Sequence, residues 1–316
     1  MRRVALIYNP ASGQLSGRRA RIVQKALALL REAGLDAEAL ETDAPGSARS
    51  LAKAAVRSGY DTILACGGDG TVHEVLQSLV GTSVALGVVP LGTANALAQD
   101  LGLGRSPLQA VRRLLHAEPQ QVPVGRIFYR DRLGAEHSRY FTVAAGVGAD
   151  ALMMSRLDLK LKRRFGYALY LVEAFRVWAT SSFPYFEASF SSSGEQPRRS
   201  QEVSQLLAVR VRSFGGVLGQ LAPGATVRNH TLSLVAFKTR SRLRYLRFLL
   251  AVIAKRHSFG DRIELMEAVS VECRTRNRSR RTVHVEADGE VLGTLPARME
   301  VAEEQFVLLV PPGANP

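Results

Sequence analysis

Thr62-Ile63-Leu64-Ala65-Cys66-Gly67-Gly68-Asp69-Gly70-Thr71-Val72-His73-Glu74-Val75-Leu76 is the stretch from which the fold can be read. Residues 62–66 are a short apolar run. Three glycines then surround one aspartate, and residues 71–80 carry apolar side chains at helical spacing. The order is a buried strand, a Gly-rich turn and a helix. Glycine lets the backbone of such a turn approach a ligand closely, and the helix behind it points N–H groups toward an anion.

The same unit recurs on either side. Residues 4–8 form an apolar run closed by Asn9-Pro10, and residues 18–33 place Ile22, Ala26, Leu27 and Leu30 on one helical face before Gly34. Strands are expected at 37–40 and 84–89, and helices at 47–58, 71–80 and in the segment that ends at Gly102. Strands alternating with helices predict a parallel sheet covered on both faces, an α/β domain over residues 1–122.

After Pro119 the pattern changes. Strand-like pieces at 126–129, 140–144, 205–211, 232–237, 263–265, 269–274, 282–286 and 306–310 predict a second, antiparallel β-rich domain over residues 123–316. Its C-terminal tail is free to pack back on the first domain. One helix is expected at 162–178, and residues 191–199 (SSSGEQPRR) read as an exposed hairpin loop.

Composition narrows the function classes. The chain has 316 residues, 46% hydrophobic and 22% charged, which is the balance of a globular protein. Its longest apolar run beside a basic cluster, residues 248–254, is far short of the ~20 residues of a spanning helix. Residues 4–8 are too short an apolar run for a secretory signal. The two cysteines, Cys66 and Cys273, make neither a disulfide framework nor a zinc spacing, so a reducing, cytoplasmic compartment is expected. Residues 1–122 hold 13 Lys and Arg against 10 Asp and Glu, whereas residues 123–316 hold 29 against 18. A basic surplus of that size suits an anionic lipid surface, phosphorylated substrates or nucleic acid. Residues 238–255 (KTRSRLRYLRFLLAVIAK) have the form of a basic amphipathic helix able to lie on a membrane.

Three polar turns follow strands in the first half: Asn9-Pro10-Ala11-Ser12-Gly13, Gly67-Gly68-Asp69-Gly70-Thr71 and Leu91-Gly92-Thr93-Ala94-Asn95. In a parallel sheet all three fall along the carboxyl edge, where ligands bind. Asp69 is placed to hold a magnesium ion or to orient phosphates through water. Each turn also has a purely structural reading, and Thr71 with Glu74 has the spacing of a capping box. Neither G-x-x-x-x-G-K-[ST] nor G-x-G-x-x-G is present, so a nucleotide has to be held in another way. Near the C-terminus, Asp288-Gly289 is a strong signal for a two-residue hairpin turn.

The three turns, in this order and spacing, resemble the catalytic domain of the diacylglycerol-kinase-like lipid kinases, the branch of bacterial lipid kinases and sphingosine kinases. The likeness continues through Phe141 to Gly148 (FTVAAGVG), through Lys162 and Gly166-Tyr167-Ala168-Leu169-Tyr170, and to Asp288-Gly289-Glu290. It implies ATP and Mg²⁺, with nucleotide contacts from Thr42, Gly67, Gly68, Asp69, Gly70, Thr71 and Thr93; Asn9, Ser12, Gly13 and Asn95, in the other two turns of the same edge, are expected to join them. It implies Asp288 as general base on a lipid hydroxyl, with Glu290 beside it, in a cleft between the domains. The substrate would be a diacylglycerol-, sphingoid- or phosphatidylglycerol-like lipid, met by a cytoplasmic protein at an anionic membrane. No nucleic acid is expected, and a homodimer is allowed. The chain departs from the resemblance at Ala96 and Gln99, where many bacterial members carry Asp and Arg, which points to altered substrate choice. It departs again at Asn229 and His230, where an acidic element usually holds a structural magnesium. The alternatives are an NAD kinase, which shares the Gly67–Thr71 motif, and a non-catalytic nucleotide- or nucleic-acid-binding protein.

Overall fold

In the first 115 residues strands and helices alternate: β1 (Arg3–Tyr8), α1 (Ser16–Glu32), β2 (Asp36–Glu41), α2 (Ser47–Arg57), β3 (Thr62–Gly67), α3 (Asp69–Leu79), β4 (Ala85–Pro90), α4 (Ala96–Asp100) and α5 (Pro107–Leu114). The computed structural model describes residues 1–10, 16–131, 133–156, 175–176, 178–192, 199–214, 220–254, 256, 260–275 and 282–314. The chain forms two compact units, one of Met1–Val124 with Glu303–Pro316 and the other of Gly125–Ala302.

The first unit is a parallel sheet in the order β2-β1-β3-β4. Beside β4, in parallel, runs the end of the C-terminal strand, with Val307 opposite Ala85 and Leu308 opposite Leu86. Every residue of β3 and β4 is buried. A parallel strand covered by helices on both sides has no solvent face, so its sequence is a continuous apolar run instead of an alternating one. Gly87 is in β4 because a side chain there would overlap Leu64 and come within 3.2 Å of Leu309. Tyr8, Cys66 and Val89 stand in register, as do Tyr8 and Glu41, so the turns after these strands leave one edge of the sheet.

The second unit is antiparallel. Its elements are the later part of β5 (Glu118–Arg130), β6 (Glu136–Phe141), β7 (Ala144–Val147), α6 (Ala149–Arg156), β8 (Phe186–Ser191), β9 (Arg199–Val203), β10 (Gln205–Val209) and β11 (Leu232–Phe237). They continue with α7 (Arg242–Ile253), β12 (Ile263–Ala268), β13 (Ser270–Arg274), β14 (His284–Ala287) and β15 (Glu290–Val310). β10 and β11 are buried throughout because both of their faces are covered. Leu206, Ala208, Leu234 and Ala236 face one core, and Leu207, Val209, Val235 and Phe237 face another beneath α7. Tyr245 stacks on Phe237 at 4.7 Å and Phe248 meets it edge-on at 4.8 Å, which fastens α7 to β11. Fully burying a side chain such as Phe248 contributes about 1.5–3 kcal/mol. Among the described residues, no helix is long and apolar enough to cross a membrane.

Several local expectations are corrected. The single strand expected at 140–144 is the end of β6 and the start of β7, interrupted at Thr142-Val143, where backbone N–H groups turn to a carboxylate described below. β5 begins eight residues before the expected 126–129 strand, and the expected 306–310 strand is the end of the 21-residue β15. Helices α5 and α6 lie where no helix is expected. The Thr71–Glu74 capping box does not form. Glu74 instead accepts the Gly46 and Ala48 N–H groups at 2.9 and 3.1 Å, so it closes the start of α2. The hairpin at 191–199 joins antiparallel β8 and β9, though residues 193–198 lie outside the described residues. So do residues 157–174, most of the helix expected at 162–178, as well as residues 276–281 and the turn residues Ser12 and Gly13.

Candidate active site

In the first unit, two of the three turns lock together through their backbones. The Leu91 N–H donates to Gly67 O at 2.8 Å. A side chain on Gly92 would overlap Gly68 Cα, and one on Gly68 would come within 3.3 Å of Gly92 Cα. A side chain on Gly67 would overlap that of Thr71. Gly67 and Gly92 are therefore required by close packing before any ligand is considered, and Gly68 is tightly packed.

Asp69 completes the junction. Its Oδ2 accepts the Asn95 N–H at 3.0 Å and its Oδ1 accepts the Ala96 N–H at 2.7 Å, so one carboxylate spans the start of α4. A carboxylate there also complements the positive end of the helix. Asn95 adopts a left-handed conformation (φ 50°) and its side chain turns inward: Oδ1 accepts the Gly92 N–H and Nδ2 donates to Gly92 O, both at 2.9 Å. Thr93 is left exposed at the tip of the turn. Arg19 from α1 donates to Leu91 O at 2.6 Å. Asn9 follows β1 at the same edge, and Thr42 follows β2. Thr42 is 7% exposed, its N–H donates to Tyr8 O at 2.9 Å, and among the described residues its Oγ1 has no hydrogen-bond partner. Burying a hydroxyl without a partner is costly, so the position is suited to a ligand that supplies one.

In the second unit, Asp288-Gly289 is the two-residue turn between β14 and β15, with φ of 47° and 81°. Positive φ at both positions is what a type I′ hairpin turn requires. The Asp288 carboxylate is held as well. Its Oδ1 accepts the Val143 and Ala144 N–H groups at 2.9 and 3.0 Å, and its Oδ2 accepts the Thr142 N–H at 3.0 Å. Three donors on one carboxylate fix its orientation. Glu290 is half-buried at the first position of β15.

Arg210, just beyond β10, is 1% exposed, and its guanidinium donates to Val227 O at 2.7 Å and to Asn229 O at 3.1 Å. Burial lowers its pKa to about 10, against the attraction of Asp288. A charged residue inside the otherwise apolar run 206–211 is the sequence signal that marks it. Asn229 also donates from Nδ2 to Gly224 O at 3.0 Å. The loop carbonyls thus already face a fixed cation, and neither Asn229 nor His230 contributes a carboxylate. The structural magnesium associated with this position in the resemblance does not fit these residues.

Comparison with known proteins agrees on what kind of protein this is. The family model for the diacylglycerol kinase catalytic domain matches residues 3–127, and that for the YegS C-terminal NAD kinase beta sandwich-like domain matches residues 142–310. A Chromohalobacter salexigens protein named "Probable lipid kinase YegS-like" is 31% identical over 84% of this chain and 81% of its own. The chain belongs to the diacylglycerol kinase and YegS-like lipid kinase family. It is therefore a phosphotransferase of the lipid-kinase class. Within the family, a Mycobacterium tuberculosis diacylglycerol kinase is 27% identical over 98% of this chain and 95% of its own. A Bacillus subtilis diacylglycerol kinase is 26% identical over 94% and 92%. The crystal structure of a diacylglycerol kinase from Bacillus anthracis, 20% identical, superposes with a TM-score of 0.71 over 99% of this chain and 98% of that one, which shows the shared fold.

Proposed function

We propose that this lipid kinase transfers the γ-phosphoryl group of ATP, taken as its Mg²⁺ complex, to a hydroxyl of a diacylglycerol-, sphingoid- or phosphatidylglycerol-like lipid. What supports the nucleotide half is the interlocked pair of Gly-rich turns at the carboxyl edge of a parallel sheet, beside the unpartnered buried hydroxyl of Thr42. Phosphoryl transfer depends mostly on positioning and charge neutralisation. The N-terminus of α3, with Gly67, Gly68, Gly70 and Thr71, would hold phosphate oxygens, Asn9 and Thr93 would border them, and Thr42 would bond the nucleotide. Magnesium arriving on the triphosphate would neutralise part of its charge. Asp69 would reach that ion through water while continuing to hold the start of α4.

Asp288 would be the general base, with Glu290 beside it. As the lipid oxygen bonds to the γ-phosphorus and the bond to the β-phosphate oxygen breaks, the hydroxyl proton passes to the carboxylate and ADP leaves. Helix α7 supports docking on anionic membrane. Phe248 and Val252 face the core, while Leu243, Leu250 and Ile253 are exposed beside Arg244 and Arg247. This is the amphipathic pattern of a helix that lies in a membrane interface. The protein would thus act in the cytoplasm as a peripheral membrane enzyme.

The test is incubation of the purified protein with γ-labelled ATP, Mg²⁺ and mixed anionic vesicles carrying each lipid class, with products read by mass spectrometry. Label is expected in a phospholipid product. Binding of ATP with no label in any of the three lipid classes would reject the assignment.

A further inference from the structure

Two carboxyl groups in the second unit lie where neither the fold nor the transfer chemistry requires them. Asp150 is in the first turn of α6, and Glu286 is on β14, two residues before Asp288. Opposite Glu286 on β7 is Gly146. A side chain at Gly146 would overlap Asp150 Oδ2 and come within 2.8 Å of Glu286 Oε1, so the two oxygens converge over one glycine. The two carboxyls hydrogen-bond to each other. Glu286 is 5% exposed, and Asp150 Oδ1 is closed off from solvent. The other oxygen of Glu286, Oε2, accepts the Gly289 N–H at 2.9 Å, in the very turn that carries Asp288.

Two carboxylates in contact away from water repel each other, and a hydrogen bond between them needs a proton. We infer that Glu286 and Asp150 hold a proton between them, and that the pair positions the Asp288–Gly289 turn. One proton between the two carboxyls lets one donate to the other and removes the repulsion. Burial raises both groups, Asp150 to about 7 and Glu286 well above the usual carboxylate range. The negative charges of Asp150 and Asp288 raise Glu286 further. Tyr245 on α7 feels the charge of Asp150, and Arg210 is drawn to Asp288. The strands on either side oppose Glu286 with uncharged Gly146 and Val291. Once the proton leaves, Glu286 and Asp150 repel across Gly146. Relief requires Glu286 to move, and its bond to the Gly289 N–H disturbs the Asp288 turn. The positioning role rests on the reading of Asp288 as general base; the shared proton does not.

Glu286→Gln tests both parts. The amide can donate to Asp150 and accept from Gly289, but it has no proton to lose. In the wild type, the folded chain keeps a proton that the unfolded chain gives up above the ordinary Glu value of 4.5. Its stability contribution is complete below that pH and is lost as pH rises toward the folded values. The melting temperature is therefore expected to fall between about pH 5 and pH 9, and to fall less in Glu286→Gln. Asp150→Asn, which removes the other partner, should flatten the slope as well and serves if the first variant does not fold. In kinase assays the wild type is expected to show an alkaline limb of about tenfold loss per pH unit, and Glu286→Gln to lack it. Equal melting slopes in wild type and variants would overturn the shared proton. A flattened melting slope with an unchanged alkaline limb would overturn the positioning role. Full turnover in Asp288→Asn would instead remove the general base, and would not count against the shared proton, which is read from the melting slopes of the wild type, Glu286→Gln and Asp150→Asn.

Discussion

Asp288→Asn separates the two tasks of this residue, because the structure shows that asparagine cannot reproduce its bonding. Three N–H groups converge on the carboxylate, those of Val143 and Ala144 on Oδ1 and that of Thr142 on Oδ2. An amide has one oxygen. It can serve the Val143–Ala144 pair or Thr142, and its NH₂ group then faces a donor on the other side. Leaving one part-buried N–H unsatisfied costs about 1–3 kcal/mol. At about 2–4 °C per kcal/mol for a unit of this size, the melting temperature should fall by about 2–12 °C. Separately, the variant has no carboxylate to accept the lipid proton, so turnover per folded molecule should fall roughly 10²–10⁴-fold. ATP affinity should stay near wild type, since the candidate nucleotide turns belong to the other unit. The assay is calorimetric melting and ATP titration, with initial rates normalised to the folded fraction. Turnover per folded molecule within about threefold of wild type, together with the expected drop in melting temperature, would leave Asp288 as a turn residue alone and refute the general-base argument.

Thr42→Val removes the buried, unpartnered hydroxyl at nearly constant shape. Stability should hold or rise, and ATP should bind about 2–12-fold more weakly, the value of one hydrogen bond; unchanged affinity would take Thr42 out of the nucleotide site. Because the Val227 and Asn229 carbonyls already face Arg210, the nucleotide-free protein should melt at the same temperature in chelator and in Mg²⁺. A drop in chelator would reveal a native-state metal, since a ligand bound only by the folded chain raises its stability. Reversing Arg244 and Arg247 to Glu should weaken binding to anionic vesicles, and wild-type binding should decline with salt as the Debye length shrinks below ~8 Å. Equal binding of the wild type to neutral and anionic vesicles would reject the proposed docking face.

The α/β character of residues 4–90 was legible because burial on both faces imposes apolar runs, and glycine is required at Gly92, which packs on Gly68, and at Gly67, which packs on Thr71. The Asp288-Gly289 turn was legible for a similar reason, since positive φ at consecutive positions strongly restricts residue choice. Other local patterns misled. Thr71 and Glu74 have capping-box spacing, yet Glu74 closes α2, whose amides lie 26 and 28 residues away in sequence. Residues 140–144 read as one apolar strand, yet three of their N–H groups bend toward a carboxylate 144 to 146 residues distant. Asp150 and Glu286 gave no signal at all, because neither sits in a recognisable spacing with the other.

The sequence by itself therefore determined the alternation of strands and helices over residues 4–90, the Gly-rich turns at strand ends, the family and the hairpin at Asp288. These are consequences of local backbone geometry and of which side chains must leave water. Tertiary structure alone decided what each carboxylate does: Asp69 spans the start of α4, Glu74 closes α2, Asp288 gathers the 142–144 amides, and Asp150 meets Glu286 over Gly146. The physical reason is that a carboxylate's partner is set by which donor or acid the folded chain brings within about 3 Å, and hydrogen bonding at that range carries no memory of separation along the chain.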